Sequence, residues 1–432
     1  MDRIVTFSFR DRDKLGHHDL ESLEIYIRSS MHAVGSVILE KLLNSDGGDY
    51  RGRTQPCEKG HVFEFKEYRD KEVLTLLGPV TIRRAYYYDG GCQTGWCPKD
   101  KALDIVGSSL SPGVRRIMGR AGANGPFALG HEDLKEMAGI EVDPKEIERV
   151  SHRLGEEIEA YNRREAGQII PLRPISKMYV CMDGTGVPVV RAEAMNRKGR
   201  GEEGQAKTRE AKLGCVFTQT SVNEKGYPVR DEDSTSYAGA IEATEDFGSR
   251  IYAEAVGRGL ERAREVCVIA DGSPWIWNIV EEHFYGAIQI IDLYHAREHY
   301  WNVAHAVFSL DQATLDSWTD LRRKELDHGE VEAVIEAIKC LRPRRKEQKE
   351  ICEKEIGYFE KNKDRMRYDR FRRQGLFVGS GVVEAGCRTV IGQRLKQSGM
   401  FWTVKGANSI IALRCCLLSN RWEDFWEYRA CA

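Results

Sequence analysis

KMYVCMDGTGVPVV, residues 177–190, joins an apolar run to an acidic, glycine-rich end. Its apolar run MYVCM, residues 178–182, is too short for a core helix and suits a buried strand that closes at Asp183. Gly184 and Gly186 follow at once, so the stretch reads as a hairpin turning at Asp183-Gly184-Thr185-Gly186, with VPVVRAEA as its second arm. Moving outward, AKLGCVFTQTSV (residues 211–222) supplies a third strand and residues 247–264 a helix. EVCVIADG (265–272) is a short buried strand, 274–283 a helix, and AIQIIDLYH (287–295) a further strand. Three antiparallel strands followed by αβαβ is the order expected of an RNase H-like fold.

The flanks extend this core, which covers residues 171–295 and resumes at 374–432. Residues 296–373 are helical, charged and basic, and read as a helical insertion. Residues 106–170 read as a helix-turn-helix-like region. A short helix ends at Gly139, and Asp143 as N-cap with Pro144 at the first helical position announces the next. In a DNA-binding pair of this kind the second helix enters the major groove, although any helical hairpin has the same pattern. Residues 51–105 alternate as HVFEFKEY (61–68) and KEVLTLLGPVTIRRAYYYD (71–89) about a Gly78-Pro79 turn, which is a β-ribbon. Cys57, His61, Cys92 and Cys97 bracket it and suit a Zn²⁺ site, because such a ribbon is too small to build its own core. The spacings C-x3-H and C-x4-C are looser than ordinary knuckles, and unliganded thiols are the alternative. Residues 1–50 form a helical lead-in, with Ile25, Ile27, Met31, Val34 and Ile38 at helical spacing. The fold class expected is α+β multidomain.

At 432 residues, 41% hydrophobic and 31% charged, the chain reads as a soluble protein of several domains. It has no apolar run of eighteen residues and no secretory leader, so a cytoplasmic, nucleoid-associated location is expected and a membrane is not. Cys181, Cys215, Cys267, Cys387, Cys415 and Cys416 lie in apolar runs, as buried thiols of a reducing compartment do. The net charge of −2 carries no signature of nucleic-acid binding, but residues 341–400 hold sixteen Lys and Arg against eight Asp and Glu. That local excess suits a phosphate backbone, or else a solvated helical face.

Asp-Gly occurs four times, at Asp46, Asp89, Asp183 and Asp271, and a lone Asp-Gly usually marks a turn. Asp183 and Asp271 differ from the others because each ends an apolar strand, where open α/β sheets place their ligand sites. Glu384 lies one turn into a helix opened by Ser380 and Gly381, among Val382, Val383 and Cys387. A carboxylate in such company needs a cation or a hydrogen-bond partner, unless it simply favours the helix N-terminus. Together Asp183, Asp271 and Glu384 are candidate catalytic residues and candidate ligands of two Mg²⁺ or Mn²⁺ ions about 3.5–4 Å apart, the arrangement that stabilises attacking and leaving oxygens in phosphodiester chemistry. Asp271 follows Asp183 by 88 residues and Glu384 follows Asp271 by 113, the longer gap matching the insertion. Arg388, one turn after Glu384, either binds a phosphate or pairs with Glu384. Trp275, Trp277 and Trp402 either stack on bases or fill the core.

Four segments, YVCMDGTGVPV (179–189), VIADGSPWIWN (268–278), IIDLYHAREH (290–299) and GSGVVEAGCRTVIGQRLKQSGMFWTVKGAN (379–408), resemble the blocks of bacterial insertion-sequence transposases of the ISKra type, in the Mutator-like DDE group. The resemblance spans roughly residues 55–425 and implies that the DDE acids fall on Asp183, Asp271 and Glu384. It also implies a role for Asp292 and His295, which match the group's signature of an acid or Cys, two residues, then His. Similar proteins tend to have paired CxxC knuckles at the ribbon, whereas this chain has Asp89 where a cysteine would help. The expected function is metal-dependent cleavage and strand transfer at element ends. The partners expected are double-stranded DNA, as element end and target, and further copies of the chain. A nuclease or resolvase without strand transfer, or a catalytically silent DNA-binding regulator, are the competing functions.

Overall fold

The computed structural model describes residues 19–57, 60–165, 175–195, 197 and 207–431 of an α+β chain. Two compact units divide at Ser151 and His152. None of the described helices is long and apolar enough to cross a membrane.

In the first unit, a helix over Leu20–Leu43 is capped by Asp19, whose carboxylate accepts the Ser22 N–H at 2.9 Å. The ribbon is a four-stranded antiparallel sheet of β1 (Thr54–Pro56), β2 (Val62–Thr75), β3 (Gly78–Asp89) and β4 (Thr94–Trp96), in that order. Thr75 pairs with Gly78, so the β2–β3 hairpin turns at Leu76 and Leu77, and Gly78-Pro79 opens the returning strand instead of forming the turn. The ribbon does have a small core. Val73, Val80 and Ile82 bury against Ile105, with Leu39, Leu43 and Leu103 packed on them, so the sheet borrows apolar cover from its flanking helices. Helices over Pro112–Asn124 and Phe127–Ala138 follow, the latter ending at Gly139. Asp143 then opens Pro144–Glu165, its carboxylate accepting the Lys145 N–H at 2.8 Å and its carbonyl the Ile147 N–H at 3.1 Å.

The second unit is built on β5 (Ile175–Pro188), β6 (Thr208–Gln219), the short ladder β7 (Ser221–Val222) with β8 (Pro228–Val229), β9 (Ser236–Ala240), β10 (Ala263–Ala270) and β11 (Ile288–Ile291). Its main sheet has the order β11-β10-β5-β6-β9, with β5, β6 and β9 antiparallel and β10 and β11 parallel to β5. Helices over Thr244–Gly257 and Pro274–His283 precede β10 and β11. The expected hairpin at Asp183 is not formed. Residues 175–188 are one strand, its antiparallel partner is β6, and the third antiparallel strand is Ser236–Ala240. Gly184 is outside the left-handed region and pairs with Lys212 inside this ladder.

The segment expected as an insertion comprises helices over Leu293–Phe308, Gln312–Asp327, Val331–Lys339, Lys346–Asn362 and Tyr368–Arg373. Polarity suggests a projecting lobe without a core, but its apolar residues are buried. Val331, Val334, Ile335, Ile338, Phe359, Met366 and Phe371 pack into the same core as Ile269, Ile290 and Ile291. Those i, i+3, i+4 positions are therefore unavailable as a dimerisation stripe. The ends of the segment return to one place: the Leu293 N–H donates to the Val378 carbonyl at 2.9 Å.

Candidate carboxylate site at the strand tips

Parallel register sets the site. Cys181 pairs with Ile269, so two residues on, Asp183 and Asp271 stand at matching heights on adjacent strands. Ala270 pairs with Ile291, so Asp292 stands beside Asp271 on the next strand. Adjacent strands lie about 4.8 Å apart, which aligns three acids along the C-terminal edge of the sheet. Glu384 enters from the helix over Gly381–Gly386, which packs on β5 and β6.

Local hydrogen bonds hold each carboxylate. Asp183 Oδ1 accepts its neighbour's N–H, that of Gly184, at 2.7 Å. Asp271 is clasped by Ser273, whose N–H and hydroxyl donate to its two oxygens at 2.8 and 2.9 Å. Ser380 Oγ donates to Glu384 Oε1 at 3.1 Å, and His295 Nε2 stands 3.8 Å from the same oxygen. Among the described residues, His295 is the only basic side chain at ion-pair distance from Asp183, Asp271 or Glu384. Two groups report that the acids share one field. Burial opposes charge on His295, yet the carboxylates of Asp292, Glu298, Asp271 and Glu384 outweigh it and raise its pKa above the ordinary histidine value. The Cys387 thiol is pushed far above its usual range by burial first, then by the neighbouring Asp183 carboxylate and by Glu384.

Asp292 differs from the other acids in being fully buried. One oxygen caps the Leu293–Phe308 helix by accepting the His295 N–H at 2.8 Å, and the other accepts the Ser380 N–H. Both oxygens are thus engaged by the backbone. Asp292 ties the end of β11 to Ser380, and Ser380 in turn holds Glu384.

Sequence patterns alone gave no sign of Tyr358, on the helix over Lys346–Asn362. Its hydroxyl donates to the Asp271 carbonyl at 2.9 Å, and its ring stacks on His299 with centroids 3.4 Å apart. Gly272 makes room for it: φ is 99°, and a Cβ would lie 2.9 Å from the ring. A tyrosine 87 residues from Asp271 leaves no short-range signal. Tyr358→Phe should cost about 0.5–1.5 kcal/mol of stability through the lost hydrogen bond. It should also slow any reaction at the carboxylates several-fold without weakening ligand binding. Denaturant midpoints and single-turnover rates measure both, and parental values of each would remove Tyr358 from the site's support.

Arg388 is exposed and has no acidic partner among the described residues, so it does not pair with Glu384. It lies in a π-helical turn over Cys387–Gly392 that interrupts the helix after Glu384, a distortion common at functional sites. Trp277 and Trp402 are buried, and the Trp402 indole N–H donates to the Leu395 carbonyl at 3.1 Å, which excludes them as base-stacking platforms. Trp275 is partly buried against the core. All six cysteines expected as buried thiols are buried and free. The cavity lined by Glu159, Glu242, Arg250 and Arg421 contains none of the acids at the strand tips.

The four residues expected to bind zinc do not all meet. Cys57 and Cys92 come together with Asp89, and His61 Nδ1 stands 3.0 Å from Cys92 Sγ but outside that group. Cys97 is buried elsewhere, preceding the helix over Pro98–Ala102, in the field of Arg84 and Asp100. Among the described residues, Cys57, Asp89 and Cys92 alone place three such ligand atoms within 4.8 Å of one another, and the strand-tip acids stand farther apart. No family model matches the chain, and no curated protein matches it.

Proposed function

We propose that the chain is a DNA transposase of the DDE type with an RNase H-like catalytic core, and that Asp183, Asp271 and Glu384 are its catalytic acids. The observation that carries this reading is the register that stands Asp183 beside Asp271 at the sheet's C-terminal edge, with Glu384 held in the same field. The strand order β9-β6-β5-β10-β11, three antiparallel strands and then two parallel ones, supports the RNase H-like assignment.

The donor set fits hard divalent cations: among the described residues the three carboxylates have His295 as their only basic neighbour at ion-pair distance, which leaves an excess of negative charge. Two Mg²⁺ or Mn²⁺ ions held by these acids would supply charge stabilisation at the attacking and leaving oxygens. The protein's own part is positioning. Ser273 fixes the Asp271 carboxylate and Ser380 fixes Glu384. His295 can hold a proton beside Glu384 Oε1, and the exposed Arg388 can meet a phosphate one turn away.

DNA is the substrate in this reading, and further copies of the chain are its expected partners in bringing two ends together. Residues 106–165, a helical region that follows the ribbon in the chain, are assigned to end recognition. Of the basic residues late in the insertion, Arg365 hydrogen-bonds Gln289, Arg367 pairs with Glu332, Arg372 donates to the Asp327 carbonyl and Arg373 pairs with Asp369. Arg342, Arg344 and Arg345 have no acidic partners among the described residues and are assigned to DNA backbone. Replacing these three with Ala should flatten the log–log salt dependence of DNA binding by about 0.9 for each phosphate no longer neutralised. The Arg372→Ala, Arg373→Ala variant should keep the parental slope and lose stability. An unchanged slope in the triple variant would refute the backbone track.

The reading is tested by incubating the full chain with duplex DNA taken from either side of its reading frame. Nicks ending in 3′-hydroxyls are expected with Mg²⁺ or Mn²⁺ and none with a chelator. Intact DNA under both metals would leave a binding protein, not an enzyme.

A further inference from the structure

We infer that Asp89, Cys57 and Cys92 form a structural zinc-class site at the end of the ribbon, with His61 beside it. Cys57 follows β1, Asp89 is the last residue of β3, and Cys92 lies in the turn into β4, so three neighbouring strand ends deliver the ligands.

Asp89 supplies the decisive observation. It is 1% exposed, and its Oδ1 accepts the Gly91 and Cys92 N–H groups at 2.8 and 3.2 Å, which fixes the carboxylate. Oδ2 is buried with no hydrogen-bond partner. An ionised oxygen withheld from water, with His61 Nδ1 near it only at 3.7 Å, is unfavourable, and a cation relieves that. The atoms facing it are suitable ligands. His61 Nδ1 is 3.7 Å from Oδ2, and the Cys57 and Cys92 sulfurs are 3.6 Å apart. A disulfide would need about 2.05 Å. A tetrahedral ion about 2.3 Å from each thiolate separates two sulfurs by about 3.8 Å, close to the spacing here. Two thiolates and one carboxylate, with an imidazole adjacent, select zinc over the hard cations assigned to the strand tips.

This site is independent of the transposase reading, and so is its test. The full chain, loaded with Zn²⁺ or Co²⁺ in place of zinc, is assayed for bound metal and for thiolate-to-cobalt absorption. One ion per chain is expected, retained in Cys97→Ser and weakened at least about tenfold in Cys57→Ser, Cys92→Ser and Asp89→Asn. Asp89→Cys should keep the ion and strengthen the thiolate-to-cobalt band, which tests Asp89 even where Asp89→Asn misfolds. The inference is overturned if the parent binds no zinc, if Cys97→Ser loses metal as the other cysteine variants do, or if Asp89→Cys leaves the cobalt spectrum unchanged.

Discussion

Asp183→Asn, Asp271→Asn and Glu384→Gln are each expected to abolish DNA cleavage while leaving DNA affinity within a few-fold of the parent. Each change preserves size and hydrogen-bonding shape and removes one negative charge from a site whose acids have no lysine or arginine at ion-pair distance among the described residues. Metal-held charge stabilisation is worth several kcal/mol, and every 1.36 kcal/mol is tenfold in rate, so losses of about 10³-fold or more follow. Folding should be little affected, because Asp183 and Asp271 are half-buried at the sheet's edge and Glu384 is exposed on its helix. Single-turnover cleavage beside equilibrium binding separates the two effects. Activity within a few-fold of the parent in any one variant would remove that residue from the site.

Asp292→Asn should have the next largest effect, for a different reason. The amide offers one acceptor oxygen where the carboxylate offers two, so its NH₂ must face the N–H of either His295 or Ser380. In a fully buried position this costs about 1–3 kcal/mol. It also frees the backbone at Ser380, whose hydroxyl holds Glu384, and misplacement of a reacting group by about 1 Å can cost about 10²-fold in rate. Asp292 is therefore a positioning residue. If it acts through Ser380, the double variant Asp292→Asn, Ser380→Ala should cleave hardly more slowly than Asp292→Asn alone, with a coupling energy of about 0.5–3 kcal/mol. Full additivity of the two losses would show that Asp292 works by another route.

These two cases also mark what could be read in the chain. The apolar runs ending at Asp183 and Asp271 were legible as buried strands because five consecutive apolar residues fit little else, and Ile288, Ile290 and Ile291 before Asp292 read as a strand despite Gln289. Strand partners were not. Asp-Gly-Thr-Gly has the composition of a turn, yet Gly184 pairs with Lys212 inside a continuous ladder, a fact of the partner strand and not of the local sequence. Ser236–Ala240, with Gly239 near its end, has almost no alternation to betray it. The same limit applies to the site. Asp292 could be quoted from its spacing to His295, but its burial depends on Ser380, 88 residues away. Cys97 looked like a ligand by residue type, and Asp89 like one more turn, until the ribbon's strand ends were brought together. The helical insertion reads as too polar for a core because its apolar residues are spread thinly over five helices, each giving one stripe to the shared interior.

If these acids serve strand transfer, covalent joining of DNA is its most direct measure. The full chain is incubated with labelled duplexes carrying the DNA that brackets its reading frame, a supercoiled target plasmid, and Mg²⁺ or Mn²⁺. The result expected is covalent joining of the label's 3′ end to the plasmid, lost in Asp183→Asn, Asp271→Asn and Glu384→Gln. Cleavage without joined product would contradict it and assign the same carboxylates to a nuclease.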